Sequence, residues 1–366
     1  MLTMKSTNID WRKYGLLLAL VLMAAGLTIL TEGIFFTPRN LVNLTRQVAV
    51  NGVLAVGMTF VILIAGIDLS IGSVVAFAGI SVAYLQVISG LGAVPSIIIA
   101  LLCGTAAGLF NGFFVTRFSI HPFIITLGMM TIARGVALII SKGASIAPMS
   151  DNLAAIGNSS IPPAASIAVI SLFSAYWLWG SINEIIKNKS RAAAYAGAAL
   201  KLIVAGFFIW LCSYEGVPVI VAVFAVVAMC GVFILRRTVF GRHMYAIGGN
   251  ETASYLSGIN VKGVKLAVFA IMGLLSGVAG VLLTARLNAA TPTMGNMFEL
   301  DAIASVVIGG TSLMGGYGGV EGTIIGAFII GILNNGLQLL NVDPFLQYVI
   351  KGFIIIGAVM LDRRKK

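Results

Sequence analysis

Asp68, in the run Gly-Ile-Asp-Leu-Ser-Ile-Gly, is an acid set between two long apolar stretches. An ionised carboxylate at membrane depth is costly and is a functional suspect by default. Two readings fit it. Asp68 caps the helix that follows, with Ser70 bonding the same exposed amides, or the pair shapes a gate at a break between two helices. Further polar side chains stand on or near apolar runs: Asn111, Thr126, Ser305, Thr311, Asn334, Asn335 and Gln338. Asn334 and Gln338 are four apart and share a helix face. Such groups either bond one helix to another or line a polar route, where weak, distributed hydrogen bonds let a solute pass and leave. Charges within the apolar runs are few, which suits a neutral solute. No HExxH or GxSxG pattern is present, so no catalytic residue is assigned and the chain reads as a non-enzyme. Cys103, Cys212 and Cys230 lie inside apolar runs without metal-ligand spacing and read as packing, and no metal site is expected. His121-Pro122 reads as loop packing and a first helical turn.

The elements that must position these groups follow from composition. The chain is 59% hydrophobic and 10% charged, against roughly a quarter charged in soluble globular chains. Most of its surface therefore faces something other than water. Its 43 glycines suit closely packed transmembrane helices. A spanning helix needs about 20 apolar residues. Twelve runs approach that, at about 14–31, 47–66, 70–88, 94–115, 121–141, 163–181, 198–214, 217–235, 264–285, 298–314, 321–340 and 345–361. The sequence thus predicts an all-α polytopic transmembrane bundle, a single domain over 1–366. No cleavable leader is expected, because the first run is long enough to span and no small-residue cleavage site follows it.

The net charge of +11 is spread through short gaps between apolar runs rather than over a basic face, which argues for topology and against nucleic acid. With the N-terminus inside, alternate gaps collect Lys5, Arg12, Lys13, Arg117, Lys187, Lys189, Arg191, Arg236, Arg237, Arg242, Lys262, Lys265, Arg363, Arg364, Lys365 and Lys366. The opposite gaps hold Arg39, Arg46, Lys142 and Arg286. That asymmetry predicts both termini in the cytoplasm. Glu299 and Asp301 then precede the tenth run on its outer side, either favouring a helix N-terminus or meeting an outer partner. The glycine run 309–322 has no lysine to hold a phosphate and reads as close packing and a flexible break.

Two inner segments are long enough to matter, the polar and basic Ser181–Gly197 and the stretch at about 236–265, and the second carries local signals. Gly248, Gly249 and Asn250 signal a turn. Asn250 is placed to cap a short helix with Glu251 in its first turn, continuing through Thr252, Ala253, Ser254, Tyr255, Leu256 and Ser257 and closing at Gly258, with Ile259 and Asn260 beyond. Ala253, Leu256 and Asn260 are expected on one face, with Tyr255 and Ile259 beside it. An exposed two-turn helix of small and apolar groups is either a docking knob or an amphipathic helix lying on the bilayer.

The stretch G-R-x-x-Y-A-I-G-G-N, then small residues, then S-G-I resembles the coupling region of sugar-importing ABC permeases, with Ser254 where that pattern usually has a second alanine. NGVLAVGMTFVILIAGIDLSIGS (51–73), NGFFVTRFSIHPFIITLGMMTIARG (111–135) and ELDAIASVVIGGTSLMGGYGGVEGTIIGAF (299–328) resemble three further signatures of the ribose, galactose, arabinose and xylose permease family, and nearly the whole chain is covered. An insertion at about 163–235 is most similar to the xylose-type branch. The resemblance implies a permease in the bacterial inner membrane, paired with a second copy. An external, periplasmic binding protein delivers a monosaccharide, a pentose such as xylose, to it. A separate ABC ATPase carries ATP and Mg, docks at 248–259 and drives transport; the chain itself has no GxxxxGK[ST] loop. The competing reading is an ion-coupled secondary transporter, for which twelve spans is a common count but the intramembrane charges are few.

Overall fold

The computed structural model describes residues 11–187 and 191–363. Lys5, Lys189, Arg364, Lys365 and Lys366 lie outside the described residues. The helices are α1 (Trp11–Leu30), α2 (Pro38–Leu63), α3 (Ile71–Ala83, extended by a π-helical stretch Tyr84–Ile88), α4 (Ala93–Phe118) and α5 (Pro122–Ser141). Then come α6 (Asp151–Asn158), α7 (Pro163–Lys187), α8 (Arg191–Glu215), α9 (Val219–Arg237), α10 (Val239–Gly249) and α11 (Glu251–Leu256). The chain closes with α12 (Val261–Leu287), α13 (Phe298–Ile308), α14 (Val320–Leu339) and α15 (Pro344–Arg363). One small departure from an all-helical chain is the two-residue antiparallel pair β1 (Ser160–Ile161) and β2 (Val217–Pro218).

Each of the twelve apolar runs holds a helix, and seven helices among the described residues are long and apolar enough to cross a bilayer. The ends differ from expectation where polar residues are absorbed. Helix α2 begins at Pro38 instead of near 47, because Thr37 accepts the amide of Asn40 and Pro38 suits a first turn. The run expected at 298–314 is shorter than predicted. Helix α13 has eleven residues, a rise of about 16 Å against a hydrocarbon core of about 30 Å. Gly310, at φ +95°, turns the chain out of the helix.

Helix α2 is the centre of the bundle. Val53, Leu54, Ala55, Met58, Val61, Ile62 and Leu63 are all buried on it, enclosed by α12, α13, α14 and α9. Helices α4 and α12 cross where Gly104 and Gly108 face Gly273; a Cβ on Gly108 would run into the Phe269 carbonyl and the Gly273 backbone. Between apolar helices in lipid, such backbone approach supplies the contact that hydrophobic burial supplies in water. Around this core, Leu18, Leu22, Ile29, Leu172, Phe173, Phe345 and Phe353 are exposed, a surface made for hydrocarbon.

Candidate coupling and translocation site

The first break lies between α2 and α3. Ala65 takes a left-handed conformation after Leu63, and the Gly66 amide returns to the Val61 carbonyl, ending α2. Across the next residues the structure brings four sequence candidates together. The Asp68 Oδ1 accepts the Ser70 amide at 2.8 Å and the Ser70 hydroxyl at 2.6 Å. The Asn111 amide donates to Ser70 Oγ at 3.0 Å. Thr126 accepts the Leu69 amide at 3.1 Å and donates to the Ile67 carbonyl at 3.3 Å. Asp68 therefore closes a turn ahead of α3 and does not cap the helix: Ser70 holds the N-cap position, and no side chain caps α3 there. All four residues are buried, with Asp68 2% exposed. They fasten the break to α4 and α5. Asp68→Ala leaves the Ser70 amide and hydroxyl without their acceptor, a loss of about 1–3 kcal/mol. Transport per inserted molecule should fall at least about tenfold while membrane insertion persists; unchanged transport would leave Asp68 a purely structural residue.

The second break is the non-helical segment 288–297 between α12 and α13. Gly295, at φ +72°, touches Gly72 at the start of α3 so closely that a Cβ on either would strike the other's carbonyl. Glu299 also lies against Gly72. Glu299 and Asp301 stand in the first turn of α13, as the helix N-terminus reading expects; Asp301 is buried, and its Oδ2 accepts Lys351 Nζ at 3.0 Å and Asn334 Nδ2 at 3.1 Å. Asn335 exchanges two hydrogen bonds with Asn40 at 2.9 and 3.0 Å. The Ser305 hydroxyl returns to its own helix at the Asp301 carbonyl, and Thr311 accepts the Gly319 amide at 3.3 Å. Gln338 is exposed and does not join Asn334. These polar groups thus bond helices and turns to each other. Sequence reading missed Lys351; a lysine inside an apolar run demands an acid at the same depth, and that demand was the available signal.

The third element is the α10–α11 unit. Gly248 and Gly249 are the last residues of α10, not a turn. The break comes at Asn250, whose Oδ1 caps α11 by accepting the Ala253 amide at 2.9 Å. Glu251 accepts Lys265 Nζ at 2.7 Å, and Gly258, at φ +83°, closes the helix with its amide on the Tyr255 carbonyl. The helix is shorter than expected, six residues. Asn260 is not on its face: it caps α12 by accepting the Gly263 amide. Ser254 is buried and Ile259 half-buried, whereas Thr252, Ala253, Ser257 and Gly258 are exposed. Tyr255 and Leu256 protrude, 70% and 79% exposed.

Behind this knob, Gly248 packs into the bonded junction of two other elements. The Gly316 amide donates to the Leu63 carbonyl at 2.9 Å, and a Cβ on Gly248 would collide with both atoms. Tyr245 donates its hydroxyl to the Gly318 carbonyl at 2.7 Å. Burial, and then the nearby Glu321, push that phenol above its ordinary pKa, partly opposed by Arg236, which keeps it a donor. The exposed knob is therefore joined, through one glycine, to the end of α2 just before the first break and to the turn after α13.

Comparison with known proteins gives the family. The family model described as a branched-chain amino acid transport system permease component matches residues 40–359. The xylose transport system permease protein XylH of Escherichia coli (strain K12) is 40% identical, covering 99% of this chain and 94% of that protein. XylH of Haemophilus influenzae is 39% identical over 100% of this chain and 99% of that protein. The ribose import permease protein RbsC of Bacillus subtilis (strain 168) is 40% identical over 97% and 94%. No solved structure shows a significant match. Matched along nearly its whole length by the family model and by these permeases, the chain belongs to the family of multi-pass membrane permease subunits of ABC sugar importers.

Proposed function

We propose that this chain carries a monosaccharide, a pentose such as xylose, into the cytoplasm, driven by an ABC ATPase that docks on α11. The observation that carries the reading is the protruding Tyr255–Leu256 knob, capped at both ends and packed behind, through Gly248, against the end of α2 and the turn after α13. The names of the XylH and RbsC relatives support the pentose. Arg236, Arg237, Arg242, Lys262 and Lys265 cluster around the knob, which supports a cytoplasmic location for it. On that orientation the twelve hydrophobic segments leave both termini inside, α13 and the turn after it serving as the tenth. A periplasmic binding protein presents the sugar to the opposite face, ATP and its Mg are handled by the partner, and a second copy completes the route. The open face of α5 at Gly128 and Gly135, where an added Cβ meets nothing, supports that pairing.

A second reading, an ion-coupled carrier, draws on the buried acids Asp68 and Asp301. One experiment separates the two. The chain is reconstituted with a candidate ABC ATPase and a xylose-binding protein, and D-xylose import is followed with ATP or with an ion gradient. Replacing 250–258 by a Gly-Ser stretch should abolish sugar-stimulated hydrolysis and import. Persistence of both, or uptake driven by the gradient alone, would overturn the proposal.

A further inference from the structure

Asp68, Asn111, Asp301, Asn334 and Asn335 are buried and bonded within the protein, so exposed polar groups elsewhere are the better placed to meet a sugar. Segment 288–297 offers them. It runs back from the end of α12 into the bundle, where Met294 Sδ lies 4.0 Å from Thr284 and Gly295 abuts Gly72. Arg134, midway along α5, donates to the Pro292 carbonyl and, at 3.0 Å, to that of Met294. Irregular backbone at this depth persists only when buried in protein or facing water. Arg134 satisfies two carbonyls, yet Thr293 and Asn296 are exposed. Asn296 Nδ2 reaches the Tyr348 hydroxyl at 3.4 Å, and Tyr348 is 46% exposed. An amide and a phenol turned toward hydrocarbon would lose their partners. Facing an aqueous route they meet water or a polyol.

The geometry points to a monosaccharide subsite at Asn296 and Tyr348, held in place by Arg134 and completed by the second copy. This rests on the importer reading above. The amide and phenol exchange hydrogen bonds with sugar hydroxyls, while the tyrosine ring covers a C–H face of the pyranose. Arg134 is a positioning residue: it fixes the backbone that carries Asn296. Only two polar side chains touch the sugar from each copy, so binding stays weak enough for release.

The test uses the complete importer in proteoliposomes, with Cys103, Cys212 and Cys230 replaced by serine and with Asn296→Cys or, as a control on the apolar face of α15, Leu346→Cys. The probe is a water-soluble cationic thiosulfonate. Asn296→Cys should react at least about tenfold faster than Leu346→Cys, because thiolate forms only where water reaches, and the labelled complex should lose D-xylose import. Tyr348→Phe should raise the D-xylose concentration at half-maximal import by up to about tenfold, with the ATPase still stimulated by the loaded binding protein. Equal labelling of the two cysteines, or import unchanged after labelling, would overturn the subsite. Should Asn296→Cys fail to insert, Thr293→Cys is judged by the same labelling and import criteria. ATP-driven import by the serine background shows separately that the importer reading stands, so the two failures are distinguishable.

Discussion

Gly248→Val should yield a permease whose ATPase turns over without moving sugar. The valine side chain must enter the space held by the Leu63 carbonyl and the Gly316 amide, which are bonded to one another at 2.9 Å. Both are backbone, so neither can swing aside; overpacking of this kind costs about 1–3 kcal/mol. Tyr255 and Leu256 keep their exposure, so the partner still docks. What is lost is the join between the docked helix and the end of α2. Import should drop by about 10- to 100-fold, with hydrolysis retained, measured as sugar moved per ATP consumed. Gly249→Ala is the matched control: nothing lies within 4 Å of its added methyl, and import should stay at the parent level. If Gly248→Val imports normally, force does not pass through this junction.

Lys351→Met should be the most destabilising single change in the membrane body. Asp301 lies almost wholly buried, and Lys351 supplies its charge partner at 3.0 Å. Removing one member of a buried pair leaves an uncompensated charge and costs about 3–5 kcal/mol. The folded fraction in detergent should collapse and the unfolding midpoint fall. Adding Asp301→Asn to Lys351→Met removes the orphaned charge while keeping a partner for Asn334, and should recover most of the loss. A double variant no more stable than Lys351→Met would show that the pair is not what holds α15 to α13.

The elements were legible because the apolar runs are long and the gaps between them polar: every run holds a helix. The clustering of Asp68, Ser70, Asn111 and Thr126 was not deducible from spacing, since three separate segments meet there, although each residue stood out as a polar group in an apolar context. Of the two readings of Asp68, the cap gives way to an Asx turn, because both devices use the same residue two or three positions before a helix. Helix α13 was drawn too long because Val306, Val307 and Ile308 run straight into a glycine-rich turn whose end hydropathy does not mark. Lys351 was missed because a lone lysine in QYVIKG resembles a boundary residue until its partner is seen. The start and stop of α11 were legible, since Asn250, Glu251 and Gly258 carry local signals that need no tertiary context, whereas Gly248 and Gly249 carried on α10 and Asn260 turned to cap α12.

Helices α7 and α8 form a pair that leaves and rejoins the body at one place: the Val219 amide donates to the Ser159 carbonyl at 3.1 Å, and β1 lies against β2. Because the chain returns to the point it left, the length of this pair does not displace α9 or anything that follows it.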